Sequence, residues 1–141
     1  MANSKRDFSF IIRDNEYAAR LALDQQNYVQ AFLLVHALIE SLLRHFLDWH
    51  EEHFTFNTLI KEYEDFLKRE RYPHPTFVKE LIEFNRRRNR VVHQLWKKGY
   101  SFTNRQLKDS AFAAVAIYGL LIEWVEAFDP EIIELGFQYD A

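Results

Sequence analysis

One segment limits the fold more than any other: "NYVQAFLLVHALIESLLRHFLDWH", residues 27–50. Its apolar residues recur at helical spacing around most of the helix circumference, whereas a surface helix has only one apolar stripe. A helix of that kind is stable only when other elements surround it. The segment therefore predicts a long helix from about Gln25 to Glu51 at the centre of a bundle.

Apolar periodicity and the breaks in it predict four further helices. The prolines of "YPHPT" end the third helix of the chain, and Gly99 ends the fourth. Thr103, with Gln106 three residues later, has the spacing of a capping box and predicts the start of the fifth, which Asp129-Pro130 ends. The four helices are expected at about 14–23, 58–70, 76–98 and 104–128.

Glycine and proline are scarce, with three of each in 141 residues, so the chain favours long helices over turns. We predict an all-α fold, a four- or five-helix up-and-down bundle, with residues 1–141 as a single domain. The chain has no cysteine, which suits a reducing cytoplasm. No signal peptide is recognised, and the longest apolar stretch, Ala111 to Ile122, is shorter than the ~20 residues of a bilayer-spanning helix. The sequence therefore predicts a cytoplasmic protein that does not contact a membrane.

The fourth predicted helix has polar residues on its apolar face. Arg88, flanked by Asn85 and Asn89, lies among apolar residues that share one side of the helix. An isolated buried charge is very costly, so Arg88 must be paired, lie at an interface, or line a cavity that holds an anion. The two rows of this face are Phe77, Leu81, Phe84, Arg88, Val91, Leu95 and Val78, Ile82, Asn85, Asn89, Val92, Trp96.

His93 lies four residues after Asn89, at the edge of the same face. Arg88 offers a planar, permanently charged donor that suits phosphate, and a histidine such as His93 can transfer a proton. The other arginines of the segment, Arg86, Arg87 and Arg90, project away from this face and are typical of a solvated surface.

The segment Arg88-Asn89-Arg90-Val91-Val92-His93 resembles the motif of the HEPN superfamily, an Arg followed by a polar residue and, after a short gap, a His. Members are small all-helical bundles with this motif on a helix late in the chain. The earlier "HALIESLLRHFL", residues 36–47, is similar to the long early helix of many members. A polar or acidic residue often faces the motif there, and Glu40 is the candidate.

The resemblance implies a metal-independent endoribonuclease without a cofactor, forming its active cleft at a homodimer interface. It assigns His93 to proton transfer, Arg88 to stabilisation of charge on the phosphate, and Asn89 to orientation. It also implies a toxin, defence or stress-response role with an antitoxin as a partner protein. The expected RNA-binding residues around the cleft are Arg86, Arg87, Arg90, Lys97 and Lys98.

One residue departs from the family pattern, and two alternatives remain open on the sequence. Leu95 occupies the position where the toxin branch that is regulated by a nucleotidyltransferase often has a tyrosine, which argues against that branch. The chain can instead be an inactive HEPN-like module that binds nucleotide or RNA or only dimerises. It can also be an unrelated helical domain in which Arg88 pairs with Glu40 inside the core.

Two other groups of residues have weaker patterns. Arg69 and His74 repeat the motif spacing, but Pro73 prevents a continuous helix between them. A histidine cluster after residue 44 does not have the spacing of a metal site, so no metal is predicted. That cluster contains His45, His50, Glu51, Glu52 and His53.

Overall fold

The computed structural model describes residues 2–48 and 54–137, and those ranges contain helices and no strand. The prediction of an all-α fold is confirmed. Five longer helices and two short ones replace the predicted four or five. They are α1 Ala2–Asp24, α2 Tyr28–Leu47, α3 Phe56–Arg69, α4 Val78–Lys98, α5 Tyr100–Gln106, α6 Lys108–Glu126 and α7 Glu131–Glu134.

The central position predicted for the second helix is confirmed. Helix α2 packs against α1, α3, α4, α5, α6 and α7, and Leu38, Leu42 and Leu43 on it are fully buried. Because α2 is covered on several sides, its broad apolar circumference is accounted for by contacts within the chain.

By length and composition alone, α2 is also the one described helix that is apolar enough to cross a membrane. Half of that segment is buried inside the fold. A core helix passes the same test, so the finding is weak evidence for a membrane span.

Helix α1 begins at Ala2, much earlier than the predicted start near Asp14. Its buried stripe contains Ile12, Glu16 and Ala19 at i, i+4, i+7 spacing. Glu16 occupies a position of this stripe, and in the fold its Oε2 accepts a hydrogen bond from the Tyr118 hydroxyl at 2.7 Å. The polar segment 3–7 has no apolar periodicity, so the sequence pattern did not mark the true start of this helix.

The predicted fifth helix is two helices, with a break at Leu107. Thr103 does not cap a helix, because it lies inside α5 and its hydroxyl donates to the Gly99 carbonyl at 2.8 Å. Gly99 has φ +87, a conformation that glycine adopts without strain, and it lets α5 follow α4 directly. The capping-box prediction is therefore wrong.

Two local features hold the start of α3 beside the first half of α4. The Thr55 Oγ1 accepts from the Thr58 amide at 3.2 Å and caps α3. The Tyr63 hydroxyl donates to the Thr76 carbonyl at 2.8 Å and ties α3 to the segment before α4. Together they fix Asn57 and Asn85 within hydrogen-bond distance of each other.

Candidate functional site

The two rows of the apolar face of α4 are covered to different extents: Leu81, Phe84 and Val91 of one row are buried, whereas the other row is exposed from Asn89 onward. Val78, Leu81 and Asn85 are buried, whereas Val92 and Trp96 on the same face are 41% and 74% exposed. Arg88 and Asn89, at the transition, are exposed too, so the expectation that Arg88 faces the core is wrong. The helices packed on α4 cover the row that contains Phe84 and Val91 and leave the neighbouring row open beyond Asn85, so Arg88 reaches solvent through the open cavity beside that row.

Arg88 lines an open cavity of about 530 Å³ between α2, the start of α3 and α4. Lining a cavity is one of the three environments expected for a guanidinium on that face. The walls are polar around Arg88 and apolar where α2 contributes Leu33 and Ala37. The remaining lining residues are His36, Glu40, Thr55, Phe56, Asn57, Asn85, Asn89 and Val92.

Arg88 is not neutralised by an acid. Its Nη1 donates to the Asn89 Oδ1 at 3.2 Å, and it forms no ion pair with any residue that the structure describes. Glu40 lies on the opposite wall and pairs with Arg44, Nε to Oε2, at 3.3 Å. The alternative of a buried Arg88–Glu40 pair is therefore wrong, and Arg88 retains donors for a ligand.

The histidine of the cavity is His36, which was not among the site residues predicted from the sequence. His36 is 8% exposed, and its Nε2 lies 3.1 Å from the Asn85 Oδ1. Its ring stacks on Phe56 with centroids 4.4 Å apart. The signal that could have found it is Asn85, because a buried amide requires hydrogen-bond partners.

Burial lowers the pKa of His36 below its ordinary value of 6.5, and the Arg88 charge lowers it further. The hydrogen bond that His36 makes to the Asn85 Oδ1 and the charge of the Glu40 carboxylate act in the opposite direction. The net effect lowers the pKa of His36 and favours the neutral ring over the charged one, relative to a free histidine.

We expect acidification to weaken the fold through His36. Since its folded-state pKa is lower than its unfolded value, this contribution to stability is complete above pH 6.5 and is lost as pH falls through the folded pKa. Urea unfolding of wild type and His36→Gln across this range measures it, because Gln keeps an N–H donor for Asn85 and does not titrate. The free energy of unfolding of wild type, relative to that of His36→Gln, should decrease as pH falls. Parallel pH profiles would contradict the assignment.

His93 lies outside the lining of the cavity. It is exposed one turn beyond Asn89, and its ring centroid is 5.0 Å from that of Trp96 in an edge-to-face contact. The structure thus places Arg88, Asn89 and Glu40 around one cavity, and His93 on the neighbouring exposed surface of α4.

The predicted RNA-binding cations lie on more than one side of α4. Arg86 and Arg87 lie 3.9 and 3.8 Å from Glu83, and Arg87 also donates to the Ser110 hydroxyl of α6 in a separate groove. Lys98 lies over the Phe102 ring, 4.9 Å from its centroid, and Arg90 and Lys97 are exposed. Arg87 therefore faces away from the cavity.

In the described ranges no three His, Cys, Asp or Glu side chains are close enough to hold a metal ion. Of the histidine cluster in the sequence, His45 lies in the described ranges. The other members lie outside the described residues: His50, Glu51, Glu52 and His53.

No protein-family model matches this chain, and no curated protein and no solved structure is significantly similar to it. The resemblance to the HEPN superfamily therefore rests on the residues of α2 and α4 alone.

Proposed function

We propose that the protein is a metal-independent endoribonuclease of the HEPN type whose active cleft forms between two copies of the chain. The observation that carries the proposal is Arg88, an arginine in an open polar cavity with no paired acid among the described residues. A planar guanidinium with available donors suits a phosphate group.

In the proposed reaction the ribose 2′-hydroxyl attacks the adjacent phosphorus, and the bond from phosphorus to the 5′ oxygen breaks. The products carry a 2′,3′-cyclic phosphate and a 5′-hydroxyl. His93 accepts the proton of the 2′-hydroxyl, the departing 5′ oxygen takes a proton from solvent, and Arg88 stabilises the charge that develops on the phosphate oxygens. Asn89, which accepts from the Arg88 guanidinium, holds that group in position. The scissile phosphate is placed between Arg88 and His93, at the mouth of the cavity.

The exposed row of α4 supports the proposed dimer. Val92 and Trp96 leave apolar surface exposed beside Arg88, and aromatic and apolar side chains with a nearby arginine are typical of protein interfaces. A second copy on this face brings two sets of Arg88 and His93 to one cleft. Arg90, Lys97 and Lys98 then lie near its edge, where cations bind RNA phosphates.

The resemblance extends the proposal to a cytoplasmic defence or stress role, with an antitoxin as a protein partner. The second candidate function is an inactive HEPN-like module that binds nucleotide or RNA. One observation favours it: His93 lies outside the cavity that contains Arg88.

The test is cleavage of a mixed RNA in EDTA, with analysis of the product ends. We expect cyclic-phosphate ends from RNA and no cleavage of the same sequence as 2′-O-methyl RNA, because the nucleophile is then blocked. His93→Ala protein purified in the same way measures contaminating nuclease. Cleavage of the methylated strand, or equal cleavage by both proteins, would reject the mechanism.

A further inference from the structure

The floor of the cavity holds a chain of hydrogen bonds that runs in one direction. The His36 Nε2 lies 3.1 Å from the Asn85 Oδ1, and the Asn85 Nδ2 donates to the Asn57 Oδ1 at 3.0 Å. An amide oxygen only accepts, so His36 carries its proton on Nε2. The Asn85 Oδ1 and the Asn57 Oδ1 therefore each accept a hydrogen bond. The Asn57 Nδ2 group, at the end of this series of hydrogen bonds, is left to donate to a ligand.

The side-chain amide of Asn89, at the mouth of the cavity, is oriented in the same way, with its oxygen used and its nitrogen free to donate. Its Oδ1 accepts from Arg88, so its Nδ2 is available to donate. No described residue accepts from the Nδ2 groups of Asn57 or Asn89, although both residues line the cavity. A ligand in this space therefore meets two amide donors and a guanidinium.

The described residues that line the cavity offer fewer free hydrogen-bond acceptors than free donors. Glu40 is the one carboxylate among the described lining residues, and Arg44 pairs with it at 3.3 Å. The Thr55 hydroxyl already accepts from the Thr58 amide. A surplus of donors around one cation fits a group with negative charge and several acceptor oxygens.

We propose that the cavity is a phosphate subsite, with Asn57, Asn89 and Arg88 as the ligand-binding residues. His36 and Asn85 are positioning residues that fix the direction of the amides. The inference deepens the proposed ribonuclease function and rests on it for the source of the phosphate, the RNA strand. Because His93 lies outside the cavity, the subsite binds the phosphate beside the scissile one, and Arg88, between the two, donates to both. The cavity volume of about 530 Å³ lies in the range typical of small-molecule sites and has room for one nucleotide.

The experiment is calorimetric titration of the full chain with inorganic phosphate, adenosine monophosphate and adenosine. Asn57→Asp replaces the terminal donor by a carboxylate of the same shape. We expect it to weaken binding of the monophosphate at least about tenfold, since a charge-assisted hydrogen bond becomes a repulsion. Asn15→Asp on α1, outside the cavity lining, makes the same change in net charge and should bind as wild type does. Equal weakening by both variants, or adenosine binding as tightly as its monophosphate, would overturn the subsite.

The role of His36 has its own measurement. Nitrogen NMR at neutral pH should show the ring proton on Nε2, and protonation on Nδ1 alone would reverse the chain and overturn the proposal. His36→Gln keeps a donor for Asn85 and should retain phosphate affinity, whereas His36→Leu should lose it. If both variants bind alike, His36 does not position the amides.

The two proposals fail separately. Phosphate binding that depends on Asn57, in a protein that cuts no RNA, would support the subsite and reject the ribonuclease. RNA cleavage in which Asn57→Asp leaves KM and phosphate affinity unchanged would support the ribonuclease and reject the subsite. Affinities for inorganic phosphate and for the monophosphate show whether a free anion or a nucleotide is preferred.

Discussion

Replacing Arg88 with alanine should remove most RNA cleavage and leave the protein as stable as wild type. Loss of a donor that stabilises charge in the transition state costs about 10²–10³ in rate. His93→Ala removes the proton-transfer group and should cost about 10²–10⁴. Both side chains are exposed, so the free energy of unfolding should change by no more than about 0.5 kcal/mol for either variant.

The chain itself supplies the matched controls. Arg69 and His74 have the same separation as Arg88 and His93, are exposed, and lie outside the cavity. Arg69→Ala and His74→Ala should cleave RNA at the wild-type rate. Initial rates and thermal melts of the four variants, at one protein concentration, complete the test. A loss of about 3–5 kcal/mol for Arg88→Ala would indicate a structural ion pair instead of a catalytic group.

Replacing Phe84 with alanine should cause one of the largest losses of stability available in this fold, about 3–5 kcal/mol. Phe84 is 4% exposed, and its ring centroid lies 5.0 Å from Phe32, 5.2 Å from His36 and 6.3 Å from Phe56. Removal of the ring leaves a cavity where α2, α3 and α4 meet. Urea unfolding at a fixed protomer concentration measures the loss, because a dimer makes stability depend on concentration.

Phe112→Ala is the control for Phe84→Ala. Phe112 is 48% exposed on α6, so its truncation should cost no more than about 1 kcal/mol. Phe84 also borders the floor of the candidate site, and its loss should reduce phosphate affinity by freeing His36 and Asn85. Equal destabilisation by the two variants would show that the aromatic cluster contributes little to the fold.

The all-α fold and the central helix could be predicted because both follow from periodicity. The apolar circumference of α2 and the scarcity of glycine and proline are local properties, and burial then acts on them directly. The predicted helix boundaries were wrong where a local signal was misleading, as at Thr103, or absent, as at the start of α1. Tertiary contacts also allow a charged residue in the core. Glu16 occupies a core position because Tyr118, far away in the chain, donates to it.

The candidate site, like the fold, could be predicted only in part from the sequence. Helical spacing alone places an arginine and two asparagines on the apolar face of the fourth helix, so Arg88 required a special environment. Which environment it has depends on how the helices pack. Neighbouring helices cover the row of α4 that contains Phe84 and Val91 and leave the adjacent row open beyond Asn85, so Arg88 lines a cavity, His93 lies beside it, and His36 and Asn57 complete the floor. The physical reason is that helical periodicity fixes which side chains share a face of one helix. The packing of α2 and α3 fixes what that face meets.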